Sequence, residues 1–170
     1  MAQPLDLAST DADVFVALDA THQQMVVHLE LLAGLTARLD ERSAEAQNAA
    51  DAHTIEAFFS SVGQSHHHDE ETRVFPPLLI GPDAALAAAV RTLQTDHGWI
   101  EEDWLILAPQ LRALAAGHHD FEPAEFLHAA EIYIALMTSH MALEESLVYP
   151  EAKAHAVRHQ QGRARRLAAA

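Results

Sequence analysis

Helical periodicity in four long segments is the feature that most restricts the fold of this 170-residue chain. Apolar side chains recur at intervals of three and four residues, and no alternating β pattern of useful length is found. The sequence predicts helices over about residues 11–41, 44–75, 83–116 and 123–156. Because the helices are long and the links are short, we predict an all-α fold, an antiparallel up-down-up-down four-helix bundle.

Proline and glycine mark the predicted links between these helices. Residues 76–82, with three prolines and a glycine, separate the second helix from the third, and residues 117–120 separate the third from the fourth. The first link is placed around residues 42–43. Pro109 falls inside the third segment and predicts a kink or an early end there.

Length and charge restrict the domain organisation and the partners. We expect one domain over residues 1–170, with a bundle core at about 11–158 and frayed tails at 1–10 and 162–170. Lys plus Arg is 10 and Asp plus Glu is 25, so the formal net charge of −15 argues against nucleic acid or an anionic membrane surface as a partner. The absence of an apolar membrane span, of a signal peptide and of cysteine predicts a cytoplasmic protein. We expect a monomer or a weak homo-oligomer.

Thirteen histidines stand on this cysteine-free chain. The absence of cysteine excludes disulfides, thiolate zinc sites and iron–sulfur clusters. Positions i, i+3, i+4 and i+7 share a helix face, and by this rule each predicted helix carries one histidine within its apolar stripe. These histidines are His22, His67, His97 and His140. On three helices a glutamate follows four residues later on the same stripe, namely Glu71, Glu101 and Glu144.

Such a pattern indicates a metal centre. A carboxylate in a bundle core is costly unless a cation pairs with it. A dimetal centre removes this cost, because neutral imidazole and carboxylate are ligands that iron accepts and bundle cores are where such centres are built. A zinc protease is excluded because the chain has no His-Glu-x-x-His motif, and no motif supports a serine nucleophile.

The alternative for each residue is an ordinary structural role. A single histidine on an apolar stripe is more often a packed core residue than a ligand, and a His/Glu pair at i,i+4 can be a surface ion pair. Three pairs and His22, with one set on each helix, favour the metal site. We interpret His28 as an alternate first-helix ligand or a residue just outside the ligand shell. Trp104 and Tyr133 are predicted in the core, with polar tips that need partners. The other histidines are predicted to be solvated: His53, His66, His68, His118, His119, His128, His155 and His159.

The chain resembles the hemerythrin-like, or HHE cation-binding, domain over about residues 18–150. The resemblance rests on these motifs: His22, residues 67–71 followed by Val74-Phe75-Pro76, Asp96-His97, and residues 140–145 followed by Tyr149-Pro150. It implies a four-helix bundle that holds a non-haem di-iron centre with an oxo or hydroxo bridge. The bridging carboxylates would fall on Glu71 and Glu144, and the terminal ligands on His22, His67, His97 and His140.

Two positions depart from the oxygen-carrying hemerythrins. Those proteins have His-x-x-x-His on the third helix, where this chain has Glu101 at the second position. They place an aspartate five residues after the last histidine, where this chain offers Glu144 and Glu145. We prefer Glu144, because Glu145 turns about 140° from His140.

The ligand count then bears on function. One coordination position on the iron pair remains open if Glu101 binds through one oxygen. No position remains open if Glu101 binds through two oxygens, and two remain open if it does not bind. An added carboxylate also favours ferric iron, which makes reversible oxygen carriage less favourable. We predict a di-iron protein that binds or senses dioxygen or a related small diatomic. The alternatives are an iron-oxidising or peroxide-consuming enzyme, and a metal-stabilised bundle that docks a partner.

Overall fold

A computed structural model of the chain describes residues 11–39, 45–118 and 121–168. These residues form no strand, and the all-α prediction is confirmed. This part of the chain contains seven α-helices, namely α1 (Asp11–Ala37), α2 (Glu45–Phe58), α3 (Gln64–Asp69), α4 (Phe75–Leu79), α5 (Ala84–Ala115), α6 (Pro123–Leu143) and α7 (Tyr149–Ala168). Three π-helical segments join some of them end to end, namely π1 (Phe59–Gly63), π2 (Glu70–Val74) and π3 (Glu144–Val148). The chain therefore runs through four long helical stretches.

Two predicted helix ends are wrong, and an early end of the third helix is excluded. The second stretch continues through Pro76 to Leu79, because the prolines fall in the first turn of α4, where a missing N–H costs little. The third does not end at Pro109, since α5 runs on to Ala115. The fourth extends to Ala168, so most of the predicted C-terminal tail is helical. The predicted first link and the N-terminal tail lie outside the described residues.

Local chemistry explains both ends of α5. The side chain of Asp83 accepts hydrogen bonds from the backbone N–H groups of Ala85 and Leu86, both at 3.0 Å, and so satisfies two donors that the helix leaves free. At the other end Gly117 has a φ of +75°, a left-handed conformation that residues with a Cβ rarely adopt. The N–H of His118 then reaches the carbonyl of Ala113 at 2.9 Å.

Replacement of Gly117 by alanine is expected to destabilise the fold by about 1–2 kcal/mol, because the left-handed conformation disfavours a Cβ. Apart from its immediate chain neighbours, nothing lies within 4 Å of the place that the added methyl group would take, so the effect should be purely conformational. Gly98→Ala is the matched control: its methyl also meets nothing within 4 Å, but its helical position predicts a gain of about 0.5–1 kcal/mol. Urea unfolding of both variants measures this, and equal changes would contradict the conformational argument.

The helices pack so that α5 contacts both α2 and α6, and α1 contacts the same two helices. Their buried side chains form two apolar clusters. On α1, Leu18 belongs to one cluster and Met25 to the other; on α5, Leu93 and Ile100 are divided in the same way. A belt of buried polar side chains therefore lies between the two clusters, and its residues include His22, Glu70, His97, His140 and Glu144. Along the described helices, no stretch is long and apolar enough to cross a lipid bilayer.

Candidate metal centre

Two groups of side chains in the polar belt bring possible metal ligands together. The His22 group consists of His22, His66, Glu70 and Glu144, and the His97 group consists of His67, Glu70, His97 and His140. Within each group, one nitrogen or oxygen atom from every residue lies within 4.8 Å of all the others. Glu70 belongs to both groups, so the two candidate positions are neighbours.

Both central carboxylates face the two groups at once. Glu70 places Oε1 3.5 Å from His66 Nε2 and Oε2 3.4 Å from His97 Nε2. Glu144 places Oε2 3.2 Å from His22 Nε2 and Oε1 3.0 Å from His140 Nε2. Each carboxylate therefore directs one oxygen towards each group, which is the arrangement that a bridging ligand requires.

The burial of these atoms fits a cation. Glu70 and Glu144 are fully buried, and His22, His66 and His140 are at most 3% exposed. Within the described residues, no hydrogen-bond partner is found for Glu70 Oε2, for either carboxylate oxygen of Glu144, or for His67 Nε2. Buried polar atoms without partners are rare and costly, and here they converge on two points. Because imidazole nitrogen and carboxylate oxygen are suitable ligands for iron and zinc, the donor set fits a metal centre.

The protonation states of His66, His67 and Glu144 in the metal-free chain favour coordination. At His22 and His97, burial lowers the pKa but hydrogen bonds to Glu144 and Glu70 outweigh it and raise the pKa. Burial lowers the pKa of His66 to about 4, although the charge of Glu70 opposes this effect. Burial lowers the pKa of His67 as well, and the neighbouring His97 lowers it further. Burial alone would raise the pKa of Glu144, but the imidazoles of His140 and His22 outweigh it and lower the pKa to about 2. The groups thus offer two neutral imidazoles and an ionised carboxylate at neutral pH, which are the forms that bind metals.

The π-helical segments keep the ligands on the core face. A step of four residues in an α-helix overshoots a full turn by about 40°, so repeated steps leave the face. Residues at such steps nevertheless stay buried in two places, namely His66, Glu70, Val74 and Leu78, and His140, Glu144, Val148 and Ala152. In both runs a π-helical segment, with its wider turn, begins at the glutamate and compensates for the overshoot.

A second layer of carboxylates orients two of the imidazoles. His22 Nδ1 lies 3.0 Å from an oxygen of Glu145, and His97 Nδ1 lies 3.0 Å from an oxygen of Glu71. The amide of Gln94 donates to the other oxygen of Glu71 at 2.7 Å. A carboxylate on Nδ1 fixes the tautomer that leaves Nε2 free to bind a metal.

Five of the seven residues predicted as ligands lie in the two groups: His22, His67, His97, His140 and Glu144. Glu71 and Glu101 do not. Glu71 is the residue after the buried Glu70. Its carboxylate contacts Nδ1 of His97, on the side of the ring that faces away from the group. Glu101 is exposed, because Ile100 rather than Glu101 continues the buried face of α5.

The structure adds His66 and Glu70 to the residues that the sequence singled out. The prediction that His66 is solvated is wrong, since its side chain is buried. The repetition within the sequence could have shown this. Alignment of Val74-Phe75-Pro76 with Val148-Tyr149-Pro150 pairs His66 with His140 and Glu70 with Glu144.

The remaining aromatic and histidine predictions have mixed outcomes. His28 lies outside both groups, where its ring stacks on Phe58 at 3.8 Å between centroids. Trp104 and Tyr133 are buried, and the indole N–H of Trp104 donates to Ser60 Oγ at 3.1 Å. Solvent exposure is confirmed for His53, His68, His118, His128 and His159, while His155 is half-buried and His119 lies outside the described residues.

A cavity of about 490 Å³ reaches the His97 group from the surface. Its wall includes His67 and His97 from the group and apolar side chains such as Phe59, Trp104 and Tyr133. Four more exposed or half-buried polar residues also line it, namely Gln64, His68, Glu71 and Glu101. A small solute can therefore approach the centre on this side.

Comparison with known proteins agrees with this geometry. The family model described as the hemerythrin HHE cation binding domain matches residues 13–152. The chain belongs to the hemerythrin HHE cation-binding domain family. No curated protein and no solved structure gives a significant match.

This HHE domain differs from the oxygen-carrying hemerythrins in where one imidazole comes from. The chain has Glu101 at the second position of their His-x-x-x-His motif. The His97 group nevertheless contains three imidazoles, because α3 contributes His67, whose ring stacks on that of His97 at 4.2 Å between centroids.

Proposed function

We propose that this HHE-domain protein holds a non-haem di-iron centre that binds or senses dioxygen or a related small diatomic. The observation that carries the proposal is the pair of carboxylates, Glu70 and Glu144, each with one oxygen towards each group of imidazoles. Carboxylates and histidines in a bundle core are the usual setting for a di-iron site. The bound pair would supply the redox chemistry and the affinity for the small ligand.

The donor count supports one open position. Five imidazoles and four carboxylate oxygens fill nine of the twelve positions of two six-coordinate irons. The oxygen bridge that the family implies fills two more. The remaining position falls to the His22 group, which has two imidazoles where the His97 group has three.

Replacement of Glu101 by His66 among the proposed ligands changes the expectation for redox chemistry. The sequence predicted an extra carboxylate at the centre, which would favour ferric iron. An imidazole in its place removes that bias, because nitrogen ligands stabilise ferrous iron better than carboxylates do. The proposed centre is therefore better suited to reversible oxygen binding than the sequence suggested.

A second candidate function is iron oxidation or peroxide consumption at the same centre. One observation favours it: the cavity that leads to His67 and His97 carries two carboxylates, Glu71 and Glu101, and these attract cations. Ferrous iron could reach the centre by this path.

We also propose that residues 1–170 form a single domain, an antiparallel up-down-up-down bundle, located in the cytoplasm.

Anaerobic reduction followed by repeated exposure to oxygen tests the leading proposal. Protein as isolated is expected to hold about two irons per chain. The reduced protein is expected to change its visible spectrum with oxygen and to recover the reduced spectrum when oxygen is removed. Zinc, or no metal, in protein produced with iron in excess would contradict the di-iron proposal.

The same preparation separates the two candidate functions. Release of intact oxygen over many cycles supports binding or sensing. Irreversible oxidation, together with peroxide turnover that falls when Glu101 is replaced by alanine, supports the enzyme. Glu125→Ala, an exposed carboxylate on α6 that does not line the cavity, is the control for general loss of charge.

A further inference from the structure

The two halves of the centre repeat one pattern. His22, His66 and Glu70 in the first half correspond to His97, His140 and Glu144 in the second. The outer carboxylates correspond as well, because Glu145 contacts His22 Nδ1 and Glu71 contacts His97 Nδ1, both at 3.0 Å. Differences between the halves therefore stand out against a nearly symmetric background.

The aromatic residue that follows π2 and π3 is one such difference. Phe75 stacks on His97 with ring centroids 5.6 Å apart and planes inclined by 16°. Tyr149 occupies the corresponding place in the other half and stacks on His22 at 5.1 Å and 20°. The two rings make corresponding stacking contacts, and they differ by a single hydroxyl group.

That hydroxyl lies among the ligand atoms of the His22 group. Tyr149 Oη donates a short hydrogen bond to Glu70 Oε1. It also lies 3.2 Å from His22 Nε2 and 3.5 Å from His66 Nε2. These three atoms, together with Glu144 Oε2, face the candidate metal position on this side, and the tyrosine is 1% exposed.

The second difference is complementary to the first. In the alignment of the repeat, His67 corresponds to Met141, which offers no nitrogen or oxygen ligand. The His97 group thus gains an imidazole and has a phenylalanine, whereas the His22 group lacks that imidazole and has a tyrosine. Each group has one donor that the other does not.

We propose that Tyr149 Oη is a ligand of the metal ion in the His22 group and occupies the sixth position there when iron is ferric. This inference rests on the proposed function, since it presumes a metal at that position. Phenolate oxygen is a hard ligand that suits ferric iron. Binding exchanges the phenol O–H bond for an O–Fe bond and releases one proton to solvent, without electron transfer.

The state without ferric iron is different. In the metal-free chain the phenol donates a short hydrogen bond to Glu70, which requires that it carries its proton. Ferrous iron is a weaker Lewis acid than ferric iron and leaves the phenol in this form. The position is therefore open to a small ligand in reduced protein and closed in oxidised protein.

Tyr149→Phe tests the assignment in oxidised, iron-loaded protein. The wild type is expected to show a visible charge-transfer band and resonance-Raman modes of an iron-bound phenolate, and the variant is expected to lose both. Azide should bind the ferric variant about tenfold or more tightly than the wild type, because the variant has an open position. Phe75→Tyr is the matched control, since it adds the same hydroxyl to the equivalent ring on the His97 side.

Each outcome decides the question. Loss of the phenolate signals in Tyr149→Phe at unchanged iron content, with their retention in Phe75→Tyr, supports the proposal. Identical spectra and azide affinities in the wild type and Tyr149→Phe, both loaded with two irons, would overturn it and leave the proposed function intact. In that case Tyr149 only donates a hydrogen bond to Glu70. A wild-type chain that takes up no iron would overturn both proposals, and metal analysis alone identifies that outcome.

Discussion

Replacement of Glu70 by alanine is expected to abolish the uptake of both metal ions, whereas Glu71→Ala should leave a chain that still loads when iron is in excess. Glu70 is fully buried, belongs to both candidate groups and directs one oxygen towards each. Its loss removes a ligand from both positions at once. Among the proposed ligands Glu71 contacts His97, at its Nδ1, and its loss should weaken affinity by about 10–100-fold, as is typical of residues that orient a ligand.

Glu70→Ala and Glu71→Ala are well-matched variants, because the same substitution is made at neighbouring positions of one helical stretch. Metal analysis after dialysis against excess iron measures occupancy, and circular dichroism checks that both variants remain helical. If Glu71→Ala lost both ions while Glu70→Ala retained them, the bridge would lie where the sequence predicted it, and the geometry described above would not be that of the loaded protein.

Removal of the metal is expected to lower the melting temperature by about 8–16 °C for each ion lost. An ion present at a thousand times its dissociation constant stabilises the folded state by about 4 kcal/mol. For a chain of this size, each kcal/mol corresponds to about 2–4 °C. The metal-free protein must also keep the carboxylates of Glu70 and Glu144 buried without the cation that compensates them.

Thermal unfolding of the iron-loaded protein before and after chelation measures this difference. Glu70→Ala provides the control, because a variant that binds no metal should melt at the same temperature with and without chelator. If complete loss of iron did not change the melting temperature of the wild-type chain, the buried polar side chains would be stable without a cation. That result would contradict the argument from burial.

Helix periodicity predicted much of this molecule because apolar stripes are long and redundant. On α1, His22 lies between Leu18 and Met25, and on α5, His97 lies between Leu93 and Ile100. An error of one residue in the predicted core face would bury positions that are polar or lie off that face, so the apolar stripe fixes the rotation of the helix. These histidines could therefore be placed on the core face without a structure.

The second helical stretch could not be placed in this way. Before His66 the sequence reads Gly63, Gln64 and Ser65, which gives no apolar stripe to fix the phase, and three consecutive histidines fit equally well. The π-helical segments also change the rotation per residue, which a constant α-helical angle does not describe. The i+4 rule leads from His67 to Glu71 for the same reason, whereas the buried carboxylate is that of Glu70.

The proposed ligands come from all four long helical stretches, and contacting residues lie far apart in the chain. His22 and Glu145, for example, are separated by 123 positions. A donor set spread so widely exists only after the first and last stretches have met, because closing such long loops precedes any gain from the contacts. A metal ion held by these residues would therefore bind late in folding. Metal loading would then mark a chain in which all four helical stretches have packed together.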